Sequence, residues 1–352
     1  MPVSDGGYAL EEFAVNVNVT PYREGTPGGR KAPSSALYRR FLFFIVAIIL
    51  LVLPFFLGEY AQYVVNRIIV TALAIIGFNI ALGYLGQLAF ANVAFFGIGA
   101  YAAAIVLGIL HMPIGLALIA SALAGAIGGL IVSLPALRGI RGLYLAIITL
   151  AFGELLRWGY IYGGVVTQGA NGIDVPVSTF LGIKMATAFN QYYLFLAIAA
   201  LAVWLTIVLL RSKFGRSIVA IRDNPTAATS LGISVPHYMI FTFCWSGCIT
   251  ALGGGLSAIT VGRVIPDMFN MGTLISQFAM VMVGGLGSIG GSILGATVLG
   301  IVPDLLSSYP GTAEIATSAV MILVLLFLPR GLISLWGGRG SKRYAYFYKE
   351  HV

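Results

Sequence analysis

Arg211-Ser-Lys-Phe-Gly-Arg-Ser-Ile-Val-Ala-Ile-Arg-Asp-Asn-Pro-Thr-Ala-Ala-Thr-Ser-Leu-Gly-Ile-Ser-Val-Pro236 is the long polar interruption in a chain that is otherwise apolar. Asn224 suits a helix N-cap, Pro225 the first helical position, and Gly232 the residue just past a helix end. The pattern predicts a short helix over Pro225 to Leu231. About two turns of helix are not stable alone in water, so this one must dock on something. Its apolar residues Ala227, Ala228 and Leu231 fit a groove on another protein. The segment reads as a cytoplasmic element that receives force from a partner the chain does not contain.

The rest of the sequence explains why such an element is the exception. Of 352 residues, 59% are hydrophobic and only 9% charged, where soluble domains carry about 25% charged residues. Together with a mean hydropathy of +0.96, this makes the chain a polytopic membrane protein and excludes a soluble globular domain. The net charge of +8 is gathered in a few loops, as expected for anchoring on an anionic lipid leaflet rather than for binding nucleic acid. Cys244 and Cys248 lie one helical turn apart in an apolar run, a placement that favours free thiols over a disulfide or a metal site.

Apolar runs extend over Phe41 to Leu57, Tyr60 to Leu82, Leu88 to Leu110, Pro113 to Leu137, Leu143 to Tyr162, Tyr192 to Leu210, Tyr238 to Val261, Thr273 to Val283, Ile289 to Val302 and Ala313 to Leu328. The expectation is an all-α protein with about ten transmembrane helices, or eight to ten because the eighth and ninth are short. If the runs alternate, Arg39/Arg40, Arg138/Arg141, Arg211 to Arg222 and the C-terminal Arg330, Arg339, Lys342 and Arg343 share one side. Both termini are then cytoplasmic, and Gly163 to Gln191 and Arg263 to Gly272 are outside. Residues 1-40 read as a disordered cytoplasmic tail, 41-335 as the transmembrane domain with the loop 211-236, and 336-352 as a second cytoplasmic tail whose bases and aromatics suit the headgroup boundary. The first apolar run follows a polar stretch and is long enough to span, so it is expected to insert uncleaved.

Three motifs break the apolar pattern. Between Gly83 and Tyr101, Gln87 and Asn92 put amides at membrane depth, either at an irregular entry to a translocation path or in a tight contact with Asn92 bonded across it. Glu154 and Arg157 lie three apart, with Glu154 about 16 Å along its helix. A mutual pair is the simplest account of them, structural or in contact with substrate. Arg67 is expected to snorkel outward. Gly285-Leu-Gly-Ser-Ile-Gly290 spells a dinucleotide fingerprint but lacks the strand-turn-helix context. Gly285 and Gly287 are instead read as a flexible break between short helices, or as close packing. No Walker A loop, metal cluster or nucleophile elbow is present in the sequence, so ATP binding by this chain and intramembrane catalysis are not expected.

Gly83-Tyr-Leu-Gly-Gln87, Phe95-Phe-Gly-Ile-Gly-Ala-Tyr101, Arg141 through Arg157, Gly215-Arg-Ser-Ile-Val-Ala-Ile-Arg222, Gly284 through Gly291 and Pro329-Arg-Gly-Leu332 occur in that order. They resemble the branched-chain amino-acid ABC importer permeases, specifically the LivM-type subunit, over roughly Phe41 to Leu335. The resemblance implies a multi-pass protein of the bacterial inner membrane with no cofactor of its own, ATP and Mg being held by separate ATPases. It implies a heterodimer with a LivH-type permease, two cytoplasmic ATPases and a periplasmic amino-acid-binding protein. Ser217 to Gly232 resembles the importer coupling loop, a Glu-Ala-Ala pattern followed by Gly. Ala227, Ala228 and Gly232 match, Thr226 stands where the glutamate would be, and Arg222 and Asp223 are the charges left to pair with an ATPase. The same architecture carrying urea or short amides is an alternative, and an ion-driven secondary carrier is a more distant one, disfavoured by the single intramembrane acid.

Overall fold

The computed structural model describes residues 48–140, 142–180, 183–305, 318–319, 322–323, 326–327 and 331–336. Two compact units are distinguished, Met1–Leu50 and Leu51–Val352. In the first, residues 48–50 are described and are helical. The tail expected at 1-40, all but the first residue of that at 336-352, residues 41–47 of the first expected span and most of the tenth lie outside the described residues, while residues 51–56 of the first are helical.

The second unit is built of helices. They are α1 (Glu59–Asn79), α2 (Asn92–Ala104), α3 (Ile114–Leu137), α4 (Leu143–Tyr162), α5 (Ala188–Arg211), α6 (Lys213–Asp223), α7 (Pro225–Ser230), α8 (Val235–Val261), α9 (Met271–Gly284) and α10 (Ile289–Leu305). Turns with wider hydrogen bonding continue α1 over Ile80–Tyr84 and α2 over Ile105–Ile109. Among the described residues six helices are long and apolar enough to cross a membrane: Glu59–Tyr84, Asn92–Ile109, Ile114–Leu137, Leu143–Tyr162, Ala188–Arg211 and Val235–Val261. α9 and α10 are apolar but shorter, as expected of the eighth and ninth runs.

The long helix α8 sits at the centre and packs against α3, α2 and α1. Between helices in lipid there is little hydrophobic drive, so association depends on close packing of small residues and on interhelical hydrogen bonds. Both are present. A methyl group on Gly247 of α8 would collide with the Gly125 carbonyl of α3, and one on Gly254 with the Phe96 carbonyl of α2. Ser246 Oγ donates to the Gly77 carbonyl of α1 at 2.7 Å. By contrast α4 and α5 bury little: Ile147, Leu155 and Trp158 on α4, and Leu201 and Trp204 on α5, are exposed.

The segments between α4 and α5 and between α8 and α9 meet at one end, as alternation requires. Strand β1 (Ile173–Asp174) pairs antiparallel with β4 (Arg263–Val264), Ile173 opposite Val264. Arg263 adds a 3.2 Å ion pair with Asp174. A small hairpin of β2 (Thr179–Phe180) and β3 (Ile183–Lys184) precedes α5. Cys244 and Cys248 are free thiols on one helix.

One expectation is corrected. The third span does not start at Leu88, since residues 86–91 are non-helical and α2 begins at Asn92. Gly86 (φ +72°) turns the chain there, and Phe90 N–H donates to Thr149 Oγ1 of α4 at 2.8 Å. Arg67 is partly exposed, 38%. Its guanidinium pairs with Asp304 of α10 and donates to the Gly300 carbonyl at 3.1 Å, which gives the cation a partner at the helix ends.

Candidate functional site

The polar interruption folds as two helices joined at a sharp corner. Ser212 Oγ accepts from Phe214 N–H at 3.1 Å and starts α6. This helix is amphipathic: Gly215, Ile218 and Ile221 are buried, in a core shared with Val235, Met239 and Phe243 of α8. Asn224 Oδ1 then accepts from both Thr226 N–H and Ala227 N–H at 3.0 Å, and Pro225 follows as the first helical residue, as the sequence suggests. α7 ends one residue early, at Ser230. Gly232 (φ +79°) closes it, with its N–H on the Thr229 carbonyl at 2.9 Å.

The helix docks on its own chain, which corrects the face assigned to the partner. Ala228 is 2% exposed and belongs to the core with Ile218, Val235 and Met239. A two-turn helix needs a seat, and this small residue is what lets α7 lie close against α6 and α8. The outward face is made of Thr226, Ala227, Thr229, Ser230 and the 80% exposed Leu231. A shallow depression lined by Pro225, Thr226, Thr229 and Ser230 opens on it. Asp223 is exposed, but partial desolvation by the helices around it raises its pKa above the usual carboxylate value, and Arg222 beside it offsets part of the rise.

Arg222 points back toward the membrane helices. Its guanidinium Nη1 donates to the Gly83 carbonyl at 2.6 Å. Gly83 lies in the widened turn that ends α1, where the backbone pattern leaves carbonyls open to outside donors. The aliphatic stem of Arg222 crosses Gly86, and a Cβ on Gly287 would stand 3.4 Å from Nη1. Arg222 therefore ties α6 and α7 to the end of α1 and to the turn between α9 and α10.

That turn is held from below by Asn79, a residue that sequence reasoning passed over. Asn79 Nδ2 donates to Ser292 Oγ at 2.7 Å, to the Ser288 carbonyl at 3.1 Å and to the Gly285 carbonyl at 3.3 Å, while Oδ1 accepts from Gly287 N–H at 2.9 Å. Asn79 is 1% exposed, so all of its polar capacity is spent on the turn. Its signal was an amide inside an apolar run between Gly77 and Gly83, like that of Asn92 between Gly86 and Gly97. Gly285 and Gly287 are buried, packed against Gly331 and Gly83.

Asn92 also turns out to be a helix contact. Nδ2 donates to Gln277 Oε1 of α9 at 2.7 Å, and Oδ1 accepts from Thr250 Oγ1 of α8 at 2.8 Å. Gln87 is buried at the non-helical stretch, and its Oε1 has no partner among the described residues.

Glu154 and Arg157 do pair, Nε to Oε2 at 3.0 Å. Arg157 also reaches Asp267 in the segment before α9, at 3.5 Å. The two α4 side chains are partly open, 45% for Glu154 and 31% for Arg157. Glu154 lines a small cleft with Phe90, Val93, Leu150, Phe269 and Leu274. Next to it Tyr101 and Tyr160 stack at 4.0 Å against Phe269, their hydroxyls without partners among the described residues.

Comparison with known proteins gives these features a context. Residues 60–329 match the family described as branched-chain amino acid transport system / permease component. The chain is 26% identical over 318 residues to the high-affinity branched-chain amino acid transport system permease protein LivM of Salmonella typhimurium, covering 83% of this chain and 75% of that protein. The Escherichia coli LivM protein matches to the same extent. The E. coli permease protein LivH is 26% identical over 283 residues, 74% of this chain and 90% of its own length. No solved structure matches. These matches describe components of transport systems and not enzymes, and with the family model covering most of its length, this chain belongs to the permease components of branched-chain amino acid transport systems, of the LivM type.

Proposed function

We propose that this chain is the LivM-type permease subunit of an ATP-driven importer for branched-chain, aliphatic amino acids in a bacterial inner membrane. About ten spans place both termini in the cytoplasm, with 1-40 and 336-352 as tails on a transmembrane domain at 41-335. The chain pairs with a LivH-type permease, to which it is itself similar. Two cytoplasmic ATPases, carrying ATP and Mg, act from below, and a periplasmic binding protein delivers substrate from outside.

The observation that carries this reading is the continuity from α7 to the membrane. Its exposed face of Thr226, Ala227 and Leu231 is the docking surface, while Ala228 roots the helix in the α6–α8 core. Arg222 carries displacement from there to the Gly83 carbonyl, and Asn79 couples the end of α1 to the α9–α10 turn. Packed, fully bonded elements of this kind move as bodies rather than deform, so closure of the ATPases tilts α1, α9 and α10 together. The permease itself needs only a different affinity for substrate in its two states, because the binding protein supplies recognition. Gly232 completes the loop as its closing residue, and Asp223 with Arg222 bounds the docking face.

The test is radiolabelled leucine uptake into proteoliposomes, with the partner permease, the ATPases and the binding protein added or withheld singly. Uptake that needs ATP and every component is expected. Uptake by this chain alone on an ion gradient would overturn the importer reading. Uptake of urea or short amides instead of leucine would keep the architecture and change the substrate.

A further inference from the structure

Glu154, Arg157 and Asp267 are two acids and one base within 3.5 Å contacts, so together they carry one uncompensated negative charge. Glu154 and Arg157 sit on the thinly covered helix α4, the least hydropathic of the six long spans, and Asp267 meets them from the segment before α9. A half-open carboxylate at this depth is costly against lipid, so this face of α4 looks onto water or onto a polar partner. Glu154 has, among the described residues, Arg157 as its one hydrogen-bond donor, and it borders the cleft described above.

We infer that the Glu154 cleft is a waypoint for a zwitterionic aliphatic amino acid, with Glu154 receiving the ammonium group. The chemistry fits in three respects. The cleft's enclosed space of about 20 Å³ is that of one water, room for the ammonium head alone. Phe90 and Leu150, half-buried at its edge, are the apolar surface against which a branched side chain can lie outside it. Arg157 has Asp267 as a second carboxylate partner, so it is not stranded when it releases Glu154, and its guanidinium is then free to meet the substrate carboxylate. Phe269, tilted against the stacked pair of Tyr101 and Tyr160, stiffens the far wall. This inference rests on the importer reading and adds the site and the group that touches substrate.

The competing account is an ion pair that only fixes the rotation of α4, and two experiments on the assembled importer separate them. In leucine uptake, Glu154→Gln is expected to lower the initial rate about tenfold, and the swap Glu154→Arg/Arg157→Glu is expected not to restore it. Near-normal uptake by Glu154→Gln, or restoration by the swap, overturns the waypoint. The second experiment leaves Glu154 intact. Leu150→Cys in a Cys244→Ser/Cys248→Ser background is labelled with a water-soluble methanethiosulfonate reagent. Saturating leucine should slow labelling about threefold or more, and 4-methylpentanoate, the same carbon chain without the ammonium, should not. Equal protection by both, or by neither, overturns the assignment. Loss of ATP-dependent uptake in the unmutated assembly would instead strike the importer reading, which the labelling result does not depend on.

Discussion

The Arg222 guanidinium stands 2.6 Å from the Gly83 carbonyl oxygen, 139 residues earlier in the chain. A side chain of the polar segment thereby grips the last turn of an apolar helix. Arg222→Ala is expected to lower leucine transported per ATP hydrolysed about tenfold. Arg222→Lys should recover only part of it, since a lysine lacks the planar fork that reaches Gly83 while its stem lies over Gly86. The exposed Arg216 serves as the control and should tolerate alanine. Coupled uptake and phosphate release, measured on the same proteoliposomes, decide the point.

The two alanines of α7 should respond in opposite ways. Ala227→Glu places a charge on the exposed face and is expected to weaken co-purification with the ATPases while leaving thermal stability unchanged. Ala228→Leu overfills a buried seat and should cost about 1–3 kcal/mol in stability. Equal melting temperatures for the two variants would contradict the burial of Ala228.

Asn79→Ala removes two N–H donors and one accepting oxygen shared among Gly285, Gly287, Ser288 and Ser292. At the ~0.6 kcal/mol average seen between membrane helices, these three groups amount to roughly 1.8 kcal/mol, and more if the Gly287 N–H is stranded. Asn66→Ala, which loses one bond to the Ala188 carbonyl, should cost distinctly less. Thermal unfolding in detergent compares them directly.

Asp223 has its pKa raised by partial desolvation. A raised carboxylate pKa means the folded state binds the proton more tightly. Its stabilising contribution is therefore complete below the unfolded pKa and is lost as pH rises through the folded one. Asp223→Asn should stabilise the protein at neutral pH, an effect that fades on acidification. The charge at the C-terminal end of α6 works in the same direction. A melting series across pH on both forms shows whether the difference closes at the acid end.

Interactions that close within a few residues were legible in the sequence. Asn224, Pro225 and Gly232 announced α7 because a cap is satisfied by its own next turn. Glu154 and Arg157 announced their pair because three residues bring side chains onto one face of a helix. The long apolar runs announced the spans because a lipid solvent demands them, and the two short ones at α9 and α10 came out short. What the local pattern left open was direction. Ala227 and Ala228 are identical in type, yet one faces water and the other the α8 core. Asn92 had two readings until Gln277 and Thr250 stood beside it. Asn79 and Arg67 take their meaning from Ser292 and Asp304, more than two hundred residues away. Composition and period alone made this chain a membrane-embedded helical protein with one short docked polar helix. Which polar groups meet inside the bundle was decided only by the tertiary structure, because a buried donor is satisfied by whatever acceptor packing brings to it, and packing is a property of the whole chain.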